Sequence, residues 1–100
     1  MVKSALSKNG VAIRLTDERW VHISEEHGEL SQLQSEILEA VRDPIRVVEG
    51  NAGELLGVRE LELGKYMVVV YREGPTDGFV ITAFVTRRIR SLERRKQLWP

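Results

Sequence analysis

One hundred residues leave room for one domain and one core, so any function must fit on a single small fold. Lys plus Arg and Asp plus Glu both number 15, which excludes a uniformly basic or uniformly acidic protein, and 42% hydrophobic with 30% charged residues describes a chain that folds. There is no cysteine, which removes disulfides, thiolate nucleophiles and cysteine-bearing metal centres, and the default compartment is cytoplasmic.

Residues 1–10 carry two Ser, two Lys and an Asn-Gly pair without either period, and predict a frayed start before the strand-like VAIRL at 11–15. Thr16 is a good N-cap, Asp17 and Glu18 follow where the helix dipole favours acids, and Trp20 and Ile23 share a face, so a helix is expected over 17–27 with Gly28 ending it. Ser31 and Gln34 have capping-box spacing, and Leu33, Ile37, Leu38 and Val41 repeat at helical intervals up to Asp43-Pro44.

From Ile45 onward the pattern is β: IRVVEG, LLGVRELEL, a Gly64-Lys65 turn, YMVVVYRE, and GFVITAFVT after the GPTDG loop. The continuous apolar run in YMVVVYRE predicts a central strand covered on much of both faces. These elements make an α+β fold of two N-terminal helices packed on a four- to five-stranded antiparallel sheet. Its open edge offers a route to self-association. The longest apolar runs, MVVVY and FVITAFV, are far too short to span a bilayer, so no membrane partner is expected.

Charge is unevenly spread. In the tail, 87–100, six basic residues against Glu93 alone give +5 and leave −5 on 1–86. Arg87, Arg88 and Arg90 offer the planar fork suited to phosphate, and Trp99 could stack on a base. The competing reading is a basic end that pairs with the acidic first helices.

The two histidines, His22 and His27, are five residues apart, so on a helix they diverge by about 140° and fit poorly as a zinc pair. As acid or base candidates they fare better, because a free imidazole ordinarily titrates near neutrality. His27 continues the Trp20 and Ile23 face, although it could instead cap the helix C-terminus. Polar residues inside the apolar strands are Arg59, Tyr71, Arg72 and Thr82. An Arg, a His, a Tyr and a Thr converging on one face are the parts of a phosphodiester site that needs no metal. No Gly-rich phosphate loop and no nucleophile elbow occurs, and no cofactor is expected.

The run LTDERWVHISEEHGEL, a helix ending in DP, a VVEG strand, a strand with an embedded Arg, VVVYRE, and GFVITAFVT with a basic tail ending in LWP resemble the phage-associated branch of the barnase/EndoU/colicin-E5/RelE-like nucleases. The likeness runs from about Leu15 to Pro100. It implies an RNase/RelE-like fold and a toxin-like or phage-derived endoribonuclease that cuts RNA without metal, the 2′-hydroxyl attacking the adjacent phosphorus. Carried over by motif, the functional residues would be His22, His27, Arg59, Tyr71, Arg72 and Thr82: His27, with His22 second to it, as general acid or base, Arg59 and Arg72 holding the phosphate, and Tyr71 and Thr82 donating hydrogen bonds to it. The family-like stretch reads His-Pro-Glu where this chain has His27-Gly28-Glu29, so a rigid stop is replaced by a flexible one. Expected partners are RNA and a cognate inhibitor protein. The alternative is a non-catalytic adaptor of the same fold that binds nucleic acid or protein.

Overall fold

The computed structural model describes residues 3–100. Its first described segment is already strand: β1 (Lys3–Leu6) pairs antiparallel with β2 (Ala12–Leu15), setting Ala5 opposite Ile13. The Ser7 N–H donates to the Val11 carbonyl at 2.9 Å, and the Ser7 and Asn9 side chains both donate to Glu73. Residues 3–6 are therefore anchored and not frayed. Only Ala5 of the four points inward, which is too little apolar pattern to announce a strand.

Thr16 caps α1 (Asp17–Glu26), its hydroxyl accepting from the Arg19 N–H at 3.1 Å. Ile23 is its buried residue and Trp20 packs against the core. A 3-10 turn over Gly28–Leu30 then buries Leu30. Helix α2 (Gln34–Arg42) buries Ile37, Leu38, Ala40 and Val41. Its N-cap is Leu33, without a side-chain cap, so the Ser31 and Gln34 capping box is not used; the Ser31 N–H instead closes the 3-10 turn on the Gly28 carbonyl.

The remaining strands are β3 (Arg46–Glu49), β4 (Leu55–Glu62), β5 (Lys65–Glu73), β6 (Asp77–Thr86) and β7 (Gln97–Trp99), with a one-turn helix α3 (Arg90–Glu93) before the last. They join β1 and β2 in one seven-stranded sheet of order β1-β2-β6-β5-β4-β3-β7. The pairing of β2 with β6 is parallel, so the sheet is mixed. This overturns the expected two helices on a four- to five-stranded antiparallel sheet. The four long-patterned strands are present as the central meander, and β5 is in the middle. Of the three strands that extend it, β2 falls on the strand-like VAIRL run, whereas β1 has one inward apolar residue and β7 spans three residues, too little for alternation to show. Parallel pairing needs a long crossover, and the chain between β2 and β6 supplies it.

Strand parity divides the buried residues between two faces. One holds Ile13, Leu15, Met67, Val69, Tyr71, Val80 and Ala83 together with Ile23, Leu30 and the α2 residues. Helix α2 lies so close that a Cβ on Gly57 would be 2.6 Å from the Ala40 carbonyl oxygen. The other face carries Val48, Leu56, Val58 and Val68, covered in part by Leu92 of α3, and is called the open face below. The basic tail is thus not a loose end. It crosses the open face as α3 and returns to the sheet edge as β7, where Trp99 is opposite Val47. Among the described residues no helix is long and apolar enough to cross a membrane.

Candidate functional site

The residues that the sequence suggests for one phosphodiester site lie on both sides of the sheet. His27 is the C-cap of α1, its N–H donating to the Ile23 carbonyl at 2.8 Å, and its Nδ1 is 3.6 Å from Glu29 Oε1. His22 Nε2 is 3.3 Å from Glu26 Oε1 on the outer part of the same helix. Arg59 is on the helix face, where its Nε donates to Glu36 Oε2 at 3.3 Å and its Nη1 to the Asp43 carbonyl at 3.2 Å. It ties α2 to β4. Tyr71 is only 1% exposed, and burial, with the nearby Glu73 charge second, pushes its hydroxyl well above the usual tyrosine value. Trp99 carries the Lys8 ammonium 4.6 Å from its ring centroid and, paired with Val47, belongs to the helix face.

Arg72 and Thr82 have the opposite parity. Thr82 pairs with Val70, and Arg72 with Phe79, on the open face. His27, Arg59, Tyr71 and Thr82 therefore do not converge, because β5 and β6 send alternate residues to opposite sides.

What the open face does assemble is a cleft of about 270 Å³. Leu56, Val70, Phe84 and Leu92 form its apolar floor, and Asn51, Glu54, Thr86, Ser91 and Arg95 its polar rim. That volume is near the lower end of the roughly 300–1,000 Å³ of small-ligand sites, enough for one unit of a polymer.

The rim is built by the turn between β3 and β4. The Gly50 N–H donates to the Glu54 carbonyl at 2.7 Å, the Ala52 N–H to Glu54 Oε1 at 2.7 Å, and Gly53 takes a left-handed φ of 87°. Two guanidiniums grip the same turn. Arg72 Nη1 donates to the Ala52 carbonyl at 3.2 Å, and Arg95 Nη1 to Asn51 Oδ1 at 2.7 Å and the Glu49 carbonyl at 3.2 Å. The backbone N–H groups of Ala52 and Glu54, and then the Arg72 and Arg95 charges, hold the Glu54 carboxyl below its ordinary 4.5. Glu54 is therefore an ionised carboxylate beside two cations.

The tail arginines continue this surface. Arg87, Arg88, Arg90 and Arg94 line a groove with Ile89 and Ser91, and the Arg88 N–H donates to Thr86 Oγ1 at 3.0 Å. Arg87 Nη2 is 3.5 Å from Glu62 Oε1. Among the described residues, Arg72, Arg88, Arg90, Arg94 and Arg95 have no carboxylate within 4.0 Å. Among the described residues, no ion pair joins the basic tail to Glu18, Glu25 or Glu26 of α1, which lies on the other face.

Glu54, Asn51 and Arg95 carry no sequence signal as a set. Glu54 shares parity with Leu56, and Arg72 with Val70, but which face would stay open depends on where the tail docks. No family model matches the chain, and neither a curated protein nor a solved structure does.

Proposed function

We propose that the protein acts on RNA at the open face of its sheet, as a metal-independent endoribonuclease. Glu54 is the general base: it takes the proton of a 2′-hydroxyl, whose oxygen attacks the adjacent phosphorus. The bond from phosphorus to the 5′-oxygen breaks, the leaving oxygen takes a proton from water, and a cyclic phosphate remains. Arg72 and Arg95 neutralise the charge that builds on the phosphoryl oxygens. The tail arginines hold the strand beyond the cut by phosphate contact. The observation that most supports this reading is that Arg72 and Arg95 hold the same turn as the Glu54 carboxylate, beside an apolar-floored cleft that Glu54 and Arg95 line. A cytoplasmic location goes with it.

The same surface suits a non-catalytic adaptor that binds RNA. Glu54 Oε1 already accepts the Ala52 N–H, and a carboxylate used to staple a turn favours that second reading. The readings separate when purified protein is incubated with total RNA and transfer RNA in EDTA. Cleavage that falls about 10²- to 10⁴-fold in Glu54→Gln supports the nuclease. Salt-dependent binding without cleavage supports the adaptor.

A further inference from the structure

The open face also carries an aromatic ring with a cation on each side. Phe79 on β6 is in register with Arg14 on β2 and with Arg72 on β5. Its chain neighbours Gly78 and Val80 are buried, whereas Phe79 is 45% exposed and is the one aromatic among the exposed large hydrophobic residues described. Both guanidiniums are drawn aside: Arg14 Nε is 3.2 Å from Asp77 Oδ2, and Arg72 Nη1 donates to the Ala52 carbonyl. Among the described residues the cation–π contact is that of Lys8 over Trp99, so neither guanidinium covers the Phe79 ring.

We propose that Phe79 is a stacking platform for one unpaired base of a single-stranded RNA whose phosphates lie on Arg72 and Arg95. This rests on the RNA reading above and adds a substrate class to it. Three things support the occupant. An exposed aromatic on a sheet face presents a π-surface that any base can cover. Arg72 on one side, with no carboxylate within 4.0 Å among the described residues, complements a phosphate chain running across the strands, while Arg14 on the other is shared with Asp77. Phe79 and the Glu54 turn are two strand spacings apart, about 10 Å, within the reach of neighbouring nucleotides. A duplex cannot use the platform, because its bases are stacked inside the helix.

The test is binding of a fluorescein-labelled single-stranded RNA and of a perfect RNA hairpin, measured by anisotropy across salt concentrations, for wild type, Phe79→Ala, Phe79→Trp and Arg95→Gln. Phe79 is half exposed, and thermal melts of each variant confirm folding. Phe79→Ala should weaken single-strand binding about tenfold and leave the salt slope unchanged. Phe79→Trp should retain affinity, with its fluorescence quenched by the stacked base, and hairpin binding should not respond to either change. If Phe79→Ala binds the single strand like wild type while Arg95→Gln weakens it, the platform is refuted and the RNA reading survives. Equal loss on both RNAs likewise overturns the platform. If wild-type protein binds neither RNA, the reading beneath the proposal fails as well.

Discussion

Tyr71 and Arg72 are chain neighbours on β5 and face opposite sides of the sheet. Tyr71 is sealed into the cluster that holds Ile37, Ala40 and Val41 of α2, while Arg72 reaches over the turn at Ala52 on the open face. No single phosphate can meet both side chains, which divides the residues singled out by sequence into a structural set and a set that can meet a ligand.

Tyr71 belongs to the structural set, and alkaline pH should reveal it. Its hydroxyl is held protonated in the folded chain well above 10.0, so the unfolded chain ionises first. The stability present below about pH 10 is then lost as pH rises further. Thermal midpoints between pH 8 and 11 should fall above pH 10 in wild type and fall less in Tyr71→Phe, and RNA cleavage at neutral pH should be the same for both.

Arg59 should behave as a strut. Its half-buried guanidinium meets Glu36 and Asp43 across the gap between α2 and β4, so Arg59→Ala should cost up to about 1 kcal/mol in urea unfolding. Binding and cleavage of RNA should stay within twofold of wild type, since this side chain is on the helix face.

The approach of α2 to β4 makes Gly57 sensitive. A methyl group there would sit 2.6 Å from the Ala40 carbonyl oxygen, and neither backbone can yield without moving a packed element. Gly57→Ala should therefore lower the unfolding free energy by about 1–3 kcal/mol, read from the urea midpoint.

Much of the scaffold is legible from sequence. Thr16 with Asp17 and Glu18 marks the start of α1, the spacing of Ile37, Leu38 and Val41 marks α2, and the apolar run of Val68, Val69 and Val70 marks the central strand. What is not legible is whatever depends on distant partners. Ala5 becomes strand only by pairing with Ile13 of the strand-like VAIRL run, whose parallel partner β6 lies far along the chain, and Trp99 only by reaching β3. The site escapes for the same reason. Arg59, Tyr71, Arg72 and Thr82 all interrupt apolar runs, yet parity alone assigns them to two faces, and only the docking of Leu92 shows which face carries the cleft. Glu54 looks like one more turn residue until Arg95, 41 positions later, closes on the same turn.

The cations of the cleft should show in the salt dependence of binding. Each phosphate neutralised on a single strand contributes about −0.7 to the slope of log K against log salt. Arg72→Gln and Arg95→Gln should each make the slope shallower by about that amount. Arg87→Gln should have less effect, since its guanidinium is shared with Glu62.

A base whose carboxyl is held below 4.5 stays ionised until the pH falls beneath that value, so the acid limb of cleavage should lie below pH 4.5. The most direct measurement is RNA cleavage in EDTA by wild type, Glu54→Gln, His27→Ala and His22→Ala, each verified as folded. The open-face account predicts that wild type and both histidine variants cut alike, while Glu54→Gln loses cleavage and keeps RNA binding. Cleavage by Glu54→Gln at the wild-type rate, or its loss in His27→Ala alone, would contradict it.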